Sequence, residues 1–248
     1  LINALIGDKI AIVSDKAQTT RNRIICVYTD ERKQIVFMDT PGVHKPKHKL
    51  GEFMVDAAIE SLKETEAVLF VVAGNEKRGP GDNFIIEQLK RVKVPVFLVV
   101  NKIDTLQKEQ VLEAIVSYQD AYPFAGVIPI SAKNKENLSE LLNVLGEHLP
   151  EGPQYFPEDM ITDQPERLII SDIVREKILL STRDEIPHAI AVDVDEMKTR
   201  DDGTTYIRAT IYCERDSQKG IIIGNKGALL RKIGAEARMD IQKLLATK

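Results

Sequence analysis

The apolar run Val94-Pro95-Val96-Phe97-Leu98-Val99-Val100 is followed directly by Asn101-Lys102-Ile103-Asp104, and this stretch decides the fold. A continuous apolar run of this kind predicts a strand that is buried on both faces of a parallel sheet. The tetrapeptide then lies at the carboxyl end of the strand, where open α/β sheets bind ligands. A carboxylate only accepts hydrogen bonds, and guanine presents two neighbouring donors, N1–H and its amino group. The stretch therefore predicts a site that reads guanine and rejects adenine.

Two further motifs follow predicted strands in the same way. Asp39-Thr40-Pro41-Gly42 comes after a predicted strand over residues 34–38. An Asp at a strand end suits Mg²⁺ beside a γ-phosphate, and Gly42 lets its backbone N–H approach that phosphate. Ser131-Ala132-Lys133 follows a predicted strand over residues 127–130, and the Ala132 N–H can donate to guanine O6. The order of the three motifs predicts an α/β fold, a P-loop-type G domain with a doubly wound, mostly parallel sheet.

The phosphate-binding loop G-x-x-x-x-G-K-[ST] is missing before the first helix, which we expect to end at Gly7 as its C-cap. We interpret the sequence as truncated, without the first strand and that loop. A chain without the loop is expected to bind GTP weakly or not at all. The alternative is a protein that never had the loop.

Composition excludes several classes of protein. The 248 residues are 43% hydrophobic and 29% charged, as in soluble globular proteins, and no apolar run is long enough for a membrane span. Cys26 and Cys213 fit no metal or disulfide spacing and suggest a reducing cytosol. The net charge of −4 argues against wholesale nucleic-acid binding, yet residues 215–248 carry eight Lys/Arg against three Asp/Glu. That basic segment predicts a local contact with a polyanion.

The pattern changes after residue 149. Residues 1–149 alternate predicted strands and helices, whereas residues 150–165 contain four prolines and predict a stiff linker between domains. Residues 166–248 then predict a second domain with a helix over 166–182 and two strands over 188–197 and 204–214. In the first domain the expected strands are 23–29, 34–38, 67–73, 94–100 and 127–130, and the expected helices are 49–63, 81–91, 108–121 and 135–148.

A Gly-x-x-Gly segment, Gly224-Asn225-Lys226-Gly227, precedes a basic helix and resembles the RNA-binding loop of a type II KH domain. Two glycines let the backbone approach a sugar-phosphate chain, and apolar flanks can line a groove for unstacked bases. The alternative is a turn between two helices with glycines for close packing. A last strand and helix of that α+β fold would follow residue 248, so we expect a truncated C-terminus. The residues predicted to contact RNA are Lys219, Gly220, Ile222, Ile223, Gly224, Asn225, Lys226 and Gly227.

A G domain followed by a KH domain resembles the Era family of bacterial GTPases across the whole chain, and residues 11–21 are similar to the switch I segment of that family. The resemblance implies GTP and GDP binding, GTP hydrolysis with Mg²⁺, binding to the 3′ end of 16S rRNA, and action in assembly of the small (30S) ribosomal subunit. It also implies a monomer in the cytoplasm with peripheral association to the inner face of the cell membrane.

The same resemblance assigns roles in the nucleotide site. Thr20 is expected to bind Mg²⁺ together with Asp39, and Thr19 and Ser14 to supply neighbouring oxygens, including to a monovalent cation. Thr20, Asp39 and Gly42 form the expected catalytic group. Taken without the resemblance, Thr20 is equally well a helix N-cap or a turn residue. The position after Gly42 is Val43 where Ras-like enzymes have Gln, so slow intrinsic turnover is expected. The expected nucleotide-binding residues are Thr19, Thr20, Asp39, Thr40, Pro41, Gly42, Asn101, Lys102, Asp104, Ser131, Ala132 and Lys133.

A second function stays open from the sequence. The chain can also be an RNA-binding KH module whose nucleotide domain is inactive. The coding sequence upstream of residue 1 distinguishes the two, because an intact phosphate loop there supports the enzyme.

Overall fold

The computed structural model describes residues 1–14, 23–40, 62–183, 186 and 189–245. These residues form two compact units: residues 1–8 with 23–162, and residues 9–14 with 163–245. The first unit alternates strands and helices as the sequence predicts. Its first helix, α1 (Ile2–Ile6), ends at Gly7 with φ 95°, which confirms the predicted glycine C-cap.

Two of the predicted strands follow α1 and form a hairpin. Strands β1 (Ile24–Thr29) and β2 (Gln34–Asp39) pair antiparallel, and the turn between them is fixed by the Asp30 carboxylate. Asp30 Oδ1 accepts hydrogen bonds from the backbone N–H groups of Arg32 and Lys33 at 2.8 and 3.0 Å. Those bonds lower the pKa of Asp30 to about 2.

The parallel sheet holds the core of the first unit. Strands β3 (Val68–Ala73), β4 (Val96–Asn101) and β5 (Gly126–Pro129) pair in the order β3-β4-β5, all parallel. The middle strand is the apolar run that the sequence singled out, and its residues 97–100 are fully buried. Burial on both faces explains why this strand shows no alternation of apolar and polar residues.

One further helix follows each of the strands β3, β4 and β5. These helices are α2 (Pro80–Leu89), α3 (Lys108–Gln119) and α4 (Leu138–His148), and all three lie where the sequence predicts helices. Ile86, Leu89 and Tyr118 join the strands in one apolar cluster. The predicted helix over residues 49–63 lies almost entirely outside the described residues.

The proline-rich connector is bonded to the hairpin up to residue 162. The Gln34 side chain donates to the Phe156 carbonyl at 2.9 Å and accepts from the N–H groups of Tyr155 and Phe156, both at 3.0 Å. Farther along, Thr162 Oγ1 donates to the Ile25 carbonyl at 2.7 Å. The connector is therefore held by the first unit along most of its length.

The second unit packs helices against one antiparallel pair of strands. It contains α5 (Glu166–Ser181), β6 (Ile190–Thr199), β7 (Thr205–Cys213), α6 (Asp216–Ile223) and α7 (Ala228–Leu245). The strand pair has a bulge between Val194 and Glu196. Helix α6 was not predicted from the sequence, which showed only an isoleucine-rich segment before the Gly-x-x-Gly loop.

The second unit also includes residues 9–14 from the start of the chain. Lys9 Nζ lies 2.7 Å from Glu176 and 2.6 Å from Asp240, and the Val13 N–H donates to Glu176 at 2.9 Å. Burial by itself would raise the pKa of Asp240, but hydrogen bonds from Lys177 and Lys9 outweigh it and lower the pKa to about 2. These ion pairs and the hydrogen bond from Val13 anchor residues 9–14 to helices α5 and α7.

Candidate nucleotide and RNA sites

The strand ends bring two predicted motifs together. Asn101 is the last residue of β4, and Ser131 follows the end of β5 closely. The Ile130 N–H donates to the Val100 carbonyl at 2.8 Å, and the Ile103 N–H donates to the Ile130 carbonyl at 3.2 Å. These backbone bonds hold the two loops side by side, as parallel pairing of their strands requires.

The Asn101 side chain joins the two loops. Its Oδ1 accepts from the Lys102 N–H at 2.8 Å and from the Ala132 N–H at 3.0 Å. Lys102 has a left-handed backbone with φ 68°, and Thr105 Oγ1 donates to its carbonyl at 2.8 Å. The Ala132 N–H, predicted as the donor to guanine O6, is thus engaged by Asn101 in this structure. A base carbonyl at that point would have to share or replace that bond.

The Asp104 carboxylate is oriented by a buried serine. Ser131 Oγ donates to Asp104 Oδ1 at 2.6 Å and accepts from the Asn134 N–H at 3.0 Å, and Ser131 is fully buried. A carboxylate oxygen can accept two hydrogen bonds, so both Asp104 oxygens retain capacity for an incoming donor pair. Ser131 therefore fixes the rotamer of the residue predicted to read guanine.

Two residues after β3, Gly74 and Glu76, contact the end of β4 and the loop that follows it. Sequence reasoning missed both of them. The Gly74 N–H donates to the Asn101 carbonyl at 2.8 Å. A Cβ on Gly74 would lie 2.9 Å from the Val100 side chain and 3.3 Å from the Asn101 carbonyl oxygen, so only glycine fits. Glu76 Oε1 lies 3.3 Å from Lys102 Nζ in an exposed ion pair. The signal for Gly74 was available, since a glycine directly follows the predicted strand.

The phosphate and metal half of the predicted site is described only in part. Asp39 is the last residue of β2, half-buried and paired with Ile24, and Thr40 follows it. Within the described ranges, no group of three or more His, Cys, Asp or Glu residues could hold a metal ion. An Asp at a strand end fits a Mg²⁺ ligand, and this role stays a prediction. The remaining predicted residues of this half lie outside the described residues: Thr19, Thr20, Pro41 and Gly42.

The Gly-x-x-Gly loop lies between helices α6 and α7 and is built from left-handed residues. Gly224 has φ 69° and ψ 179°, Lys226 has φ 49° and Gly227 has φ 77°. A Cβ on Gly224 would lie 2.7 Å from Leu229 Cβ and 3.0 Å from Leu229 N. The first glycine therefore serves both the backbone conformation and the close approach of the following helix, which includes the packing role considered as the alternative.

The predicted RNA-contacting side chains divide by burial. Lys219, Ile223, Asn225 and Lys226 are exposed, and Gly220 is an exposed residue inside helix α6. Ile222 is only 3% exposed and belongs to the apolar cluster of the second unit. Its side chain is therefore part of the core and differs from the groove-lining role expected of it. Asn225 and Lys226 in the loop, and Lys219 on helix α6, carry exposed donors that suit phosphates.

Comparison with known proteins agrees with a GTPase domain followed by a KH domain. The family model described as "50S ribosome-binding GTPase" matches residues 1–102, and the KH domain model matches residues 185–248. A crystal structure of Era with MgGDPNP and nucleotides 1506–1542 of 16S ribosomal RNA is 40% identical, with a TM-score of 0.93, over 99% of this chain and 84% of that one. A variant of Aquifex aeolicus Era bound to GDP·AlF4⁻ is also 40% identical over the same shares, with a TM-score of 0.94.

These matches confirm the predicted fold class, an α/β G domain followed by an α+β KH domain. The matched region covers 99% of the chain and therefore spans the strand ends of the first unit and the Gly-x-x-Gly loop. The chain belongs to the Era family of GTPases.

Proposed function

We propose that this chain binds and hydrolyses GTP, binds the 3′ end of 16S ribosomal RNA, and acts in assembly of the small ribosomal subunit. The observation that carries the proposal is the presence of a guanine-reading corner and a KH loop in one chain. That chain is 40% identical, over 99% of its length, to an Era protein solved with a GTP analogue and this RNA.

Asp104 is the residue that selects guanine in this proposal. Its carboxylate accepts from guanine N1–H and from the amino group, while Ser131 holds one of its oxygens at 2.6 Å. Adenine would place a lone pair opposite the carboxylate and leave a polar group unpaired, which discriminates by roughly 10⁴-fold in sites of this kind. Asn101 supports the recognition by fixing Lys102 and Ala132 around the base.

Thr20, Asp39 and Gly42 form the hydrolytic half. Asp39 and Thr20 would hold Mg²⁺, and Mg²⁺ when bound supplies charge neutralisation at the γ-phosphate. The Gly42 N–H would donate to that phosphate, and Thr19 and Ser14 would supply neighbouring oxygens, including to a monovalent cation. Val43 can neither orient water nor accept a proton, so intrinsic turnover is slow.

The Gly-x-x-Gly loop holds RNA by its backbone. Phosphates contact the loop backbone and Lys226, and Lys219 adds charge on helix α6, while the exposed Ile223 offers an apolar surface to an unstacked base. About four nucleotides are clamped by a loop of this type.

The proposal also covers the partners of the protein and its location in the cell. The protein acts as a monomer on the 30S subunit in the cytoplasm, with peripheral association to the inner face of the cell membrane. Among the described residues, no helix combines the length and apolar character that a membrane crossing requires.

Nucleotide binding is tested first by titrating fluorescent GTP and GDP into this chain and into a version preceded by a strand and phosphate loop. Binding that appears or strengthens in the extended version supports a GTPase with an intact guanine-reading half. No binding to either version would contradict GTP binding and favour the KH module with an inactive nucleotide domain.

Base selectivity is tested with Asp104→Asn, because the amide presents a donor to the base edge. The variant should shift preference from guanine to xanthine nucleotides, as measured by competition with XDP and GDP. Asp120→Asn, an exposed carboxylate at the end of α3, is the matched control and should leave selectivity unchanged. Unchanged selectivity in Asp104→Asn would contradict the assignment.

RNA binding is tested with the double variant Asn225→Asp and Lys226→Asp. Both positions are exposed, and Asp tolerates the left-handed backbone at position 226, so the fold is preserved. The variant should lose binding to a labelled RNA of 16S nucleotides 1506–1542 and keep its nucleotide affinity. Retained RNA affinity would show that this loop is not the RNA site.

A further inference from the structure

Arg231 lies in the first turn of helix α7 and reaches back over the Gly-x-x-Gly loop. Its Nη2 donates to the Lys226 carbonyl at 3.1 Å. The same nitrogen lies 3.9 Å from where a Cβ on Gly227 would be. The guanidinium is therefore positioned against the second half of the loop, although Arg231 lies outside the motif.

The loop backbone needs this kind of support. Lys226 is a non-glycine residue with φ 49°, between two glycines that also have positive φ. Such conformations persist only where the surrounding structure holds them. Backbone hydrogen bonds hold the two glycines. The Gly224 N–H donates to the Gly220 carbonyl, and the Gly227 N–H donates to the Gly224 carbonyl. Arg231 adds a side-chain bond at the lysine between them.

The charge of Arg231 is still available after this bond. A guanidinium has five N–H donors in a planar fork, and the Lys226 carbonyl engages one nitrogen. Among the residues that the structure describes, no carboxylate lies within salt-bridge distance of Arg231. The next residue differs, because Lys232 Nζ lies 3.9 Å from Glu236 within the same helix. Two adjacent cations on α7 thus have different electrostatic surroundings.

We infer that Arg231 is a further RNA-binding residue of this protein, which fixes the loop through the Lys226 carbonyl and donates its remaining N–H groups to a phosphodiester of the bound RNA strand. The planar fork matches phosphate oxygens, and the Lys226 bond pre-orients it. This inference rests on the proposed RNA binding and extends that site from the loop into helix α7.

Loss of the Arg231 phosphate contact should change both the affinity for RNA and the dependence of that affinity on salt. Arg231→Gln removes one phosphate contact, so the dissociation constant should rise by about 10-fold. The slope of log affinity against log salt should fall by about 0.7, the contribution of one contact on single-stranded nucleic acid. Arg231→Lys keeps the charge and loses the fork, so its slope should match the unmodified chain while its affinity is intermediate. A residue that only supports the loop would change affinity and leave the slope unchanged.

The experiment measures fluorescence anisotropy of a labelled RNA of 16S nucleotides 1506–1542 with the chain, Arg231→Gln, Arg231→Lys and Lys232→Gln. Potassium chloride is varied between about 50 and 400 mM. The expected result is a reduced slope in Arg231→Gln alone, with Lys232→Gln within about 2-fold of the unmodified chain. Equal effects of Arg231→Gln and Lys232→Gln would indicate nonspecific attraction of RNA by the positive charge of α7 and would overturn the inference. An unchanged slope in Arg231→Gln would also overturn it.

The outcomes also separate this inference from the proposed function. If the unmodified chain binds the RNA and the Asn225→Asp and Lys226→Asp variant does not, loop binding is supported whatever Arg231 does. An Arg231→Gln variant that then behaves like the unmodified chain overturns the role of Arg231 alone. An unmodified chain that binds no RNA overturns both.

Discussion

Replacing Gly224 by alanine adds one methyl group where the neighbouring residue Leu229 leaves no room for it. The backbone at Gly224, with φ 69° and ψ 179°, lies in a region essentially reserved for glycine. Holding another residue there costs about 1–3 kcal/mol. The new Cβ would also lie 2.7 Å from Leu229 Cβ and 3.0 Å from Leu229 N, and a backbone atom cannot rotate away. Overpacking of this kind costs about 1–3 kcal/mol more.

The two terms together predict a loss of about 2–6 kcal/mol in the free energy of unfolding of the second unit. Domains of ordinary size are stable by about 5–15 kcal/mol, so the loss is a large fraction of the total. The chain offers a matched control one turn earlier. Gly220 lies inside helix α6, and a Cβ there would meet no atom within 4 Å. Gly220→Ala should therefore stabilise the unit by about 0.5–1 kcal/mol.

Hydrogen exchange read by mass spectrometry suits this comparison, because peptides from residues 216–245 report on helices α6 and α7 separately from the first unit. Gly224→Ala should lower protection across both helices, and Gly220→Ala should raise it in α6. Similar protection in the two variants would refute the left-handed loop and the close contact with Leu229.

Three further predictions concern other parts of the chain. Lowering the pH from about 4 towards 2 should cost the second unit about 1–2 kcal/mol, because Asp240 has a folded pKa of about 2 and its contribution is lost on protonation. Urea titrations near these pH values should show this loss, and Asp240→Asn should lose about 1–2 kcal/mol less over the same range because the Asp240 contribution is absent; an equal loss in that variant would contradict the ion pairs of Asp240. Gln34→Leu removes three hydrogen bonds to the connector, so chymotrypsin should cut after the exposed Tyr155 about 5–10-fold faster, and an unchanged rate would mean that Gln34 does not hold the connector. Leu98→Ala should destabilise the first unit by about 2–5 kcal/mol in urea denaturation, whereas Leu112→Ala on the exposed face of α3 should stay within about 0.5 kcal/mol. Equal effects of the two leucines would contradict the burial of β4.

The guanine-reading corner was predictable because its signals are local. A buried parallel strand must be apolar along its length, so the first polar residues after it mark the ligand edge of the sheet. Asn101, Asp104 and Ser131 were identified in this way. The bond from Asn101 to Ala132 was not predictable, since it joins loops 31 residues apart and depends on the register of β4 and β5.

Helix α6 was missed for a different reason. Its sequence contains Gly220 and three consecutive isoleucines, residues with lower helix propensity that are common in strands and turns. Tertiary structure overrides that preference, because Ile222 packs with Ile178, Ile190 and Ile233. Gln218 also accepts a hydrogen bond from the Arg215 N–H at the start of the helix. The packing of Ile222 joins residues far apart in the chain and cannot be read from the local pattern.

Both candidate sites use a lysine held in an unfavourable backbone conformation. Lys102 at the end of β4 has φ 68°, and Lys226 in the KH loop has φ 49°. In each case a neighbouring side chain bonds the carbonyl of the lysine, Thr105 at 2.8 Å and Arg231 at 3.1 Å. Glycine would adopt either conformation without strain, so folding alone does not favour lysine at these positions. A left-handed residue turns its side chain and the following peptide group away from the direction of the preceding element, which here is a strand end in one site and a helix end in the other. We therefore expect the strain at these two lysines to place an ammonium group beside the backbone of each predicted site, that for the guanine nucleotide and that for RNA phosphate.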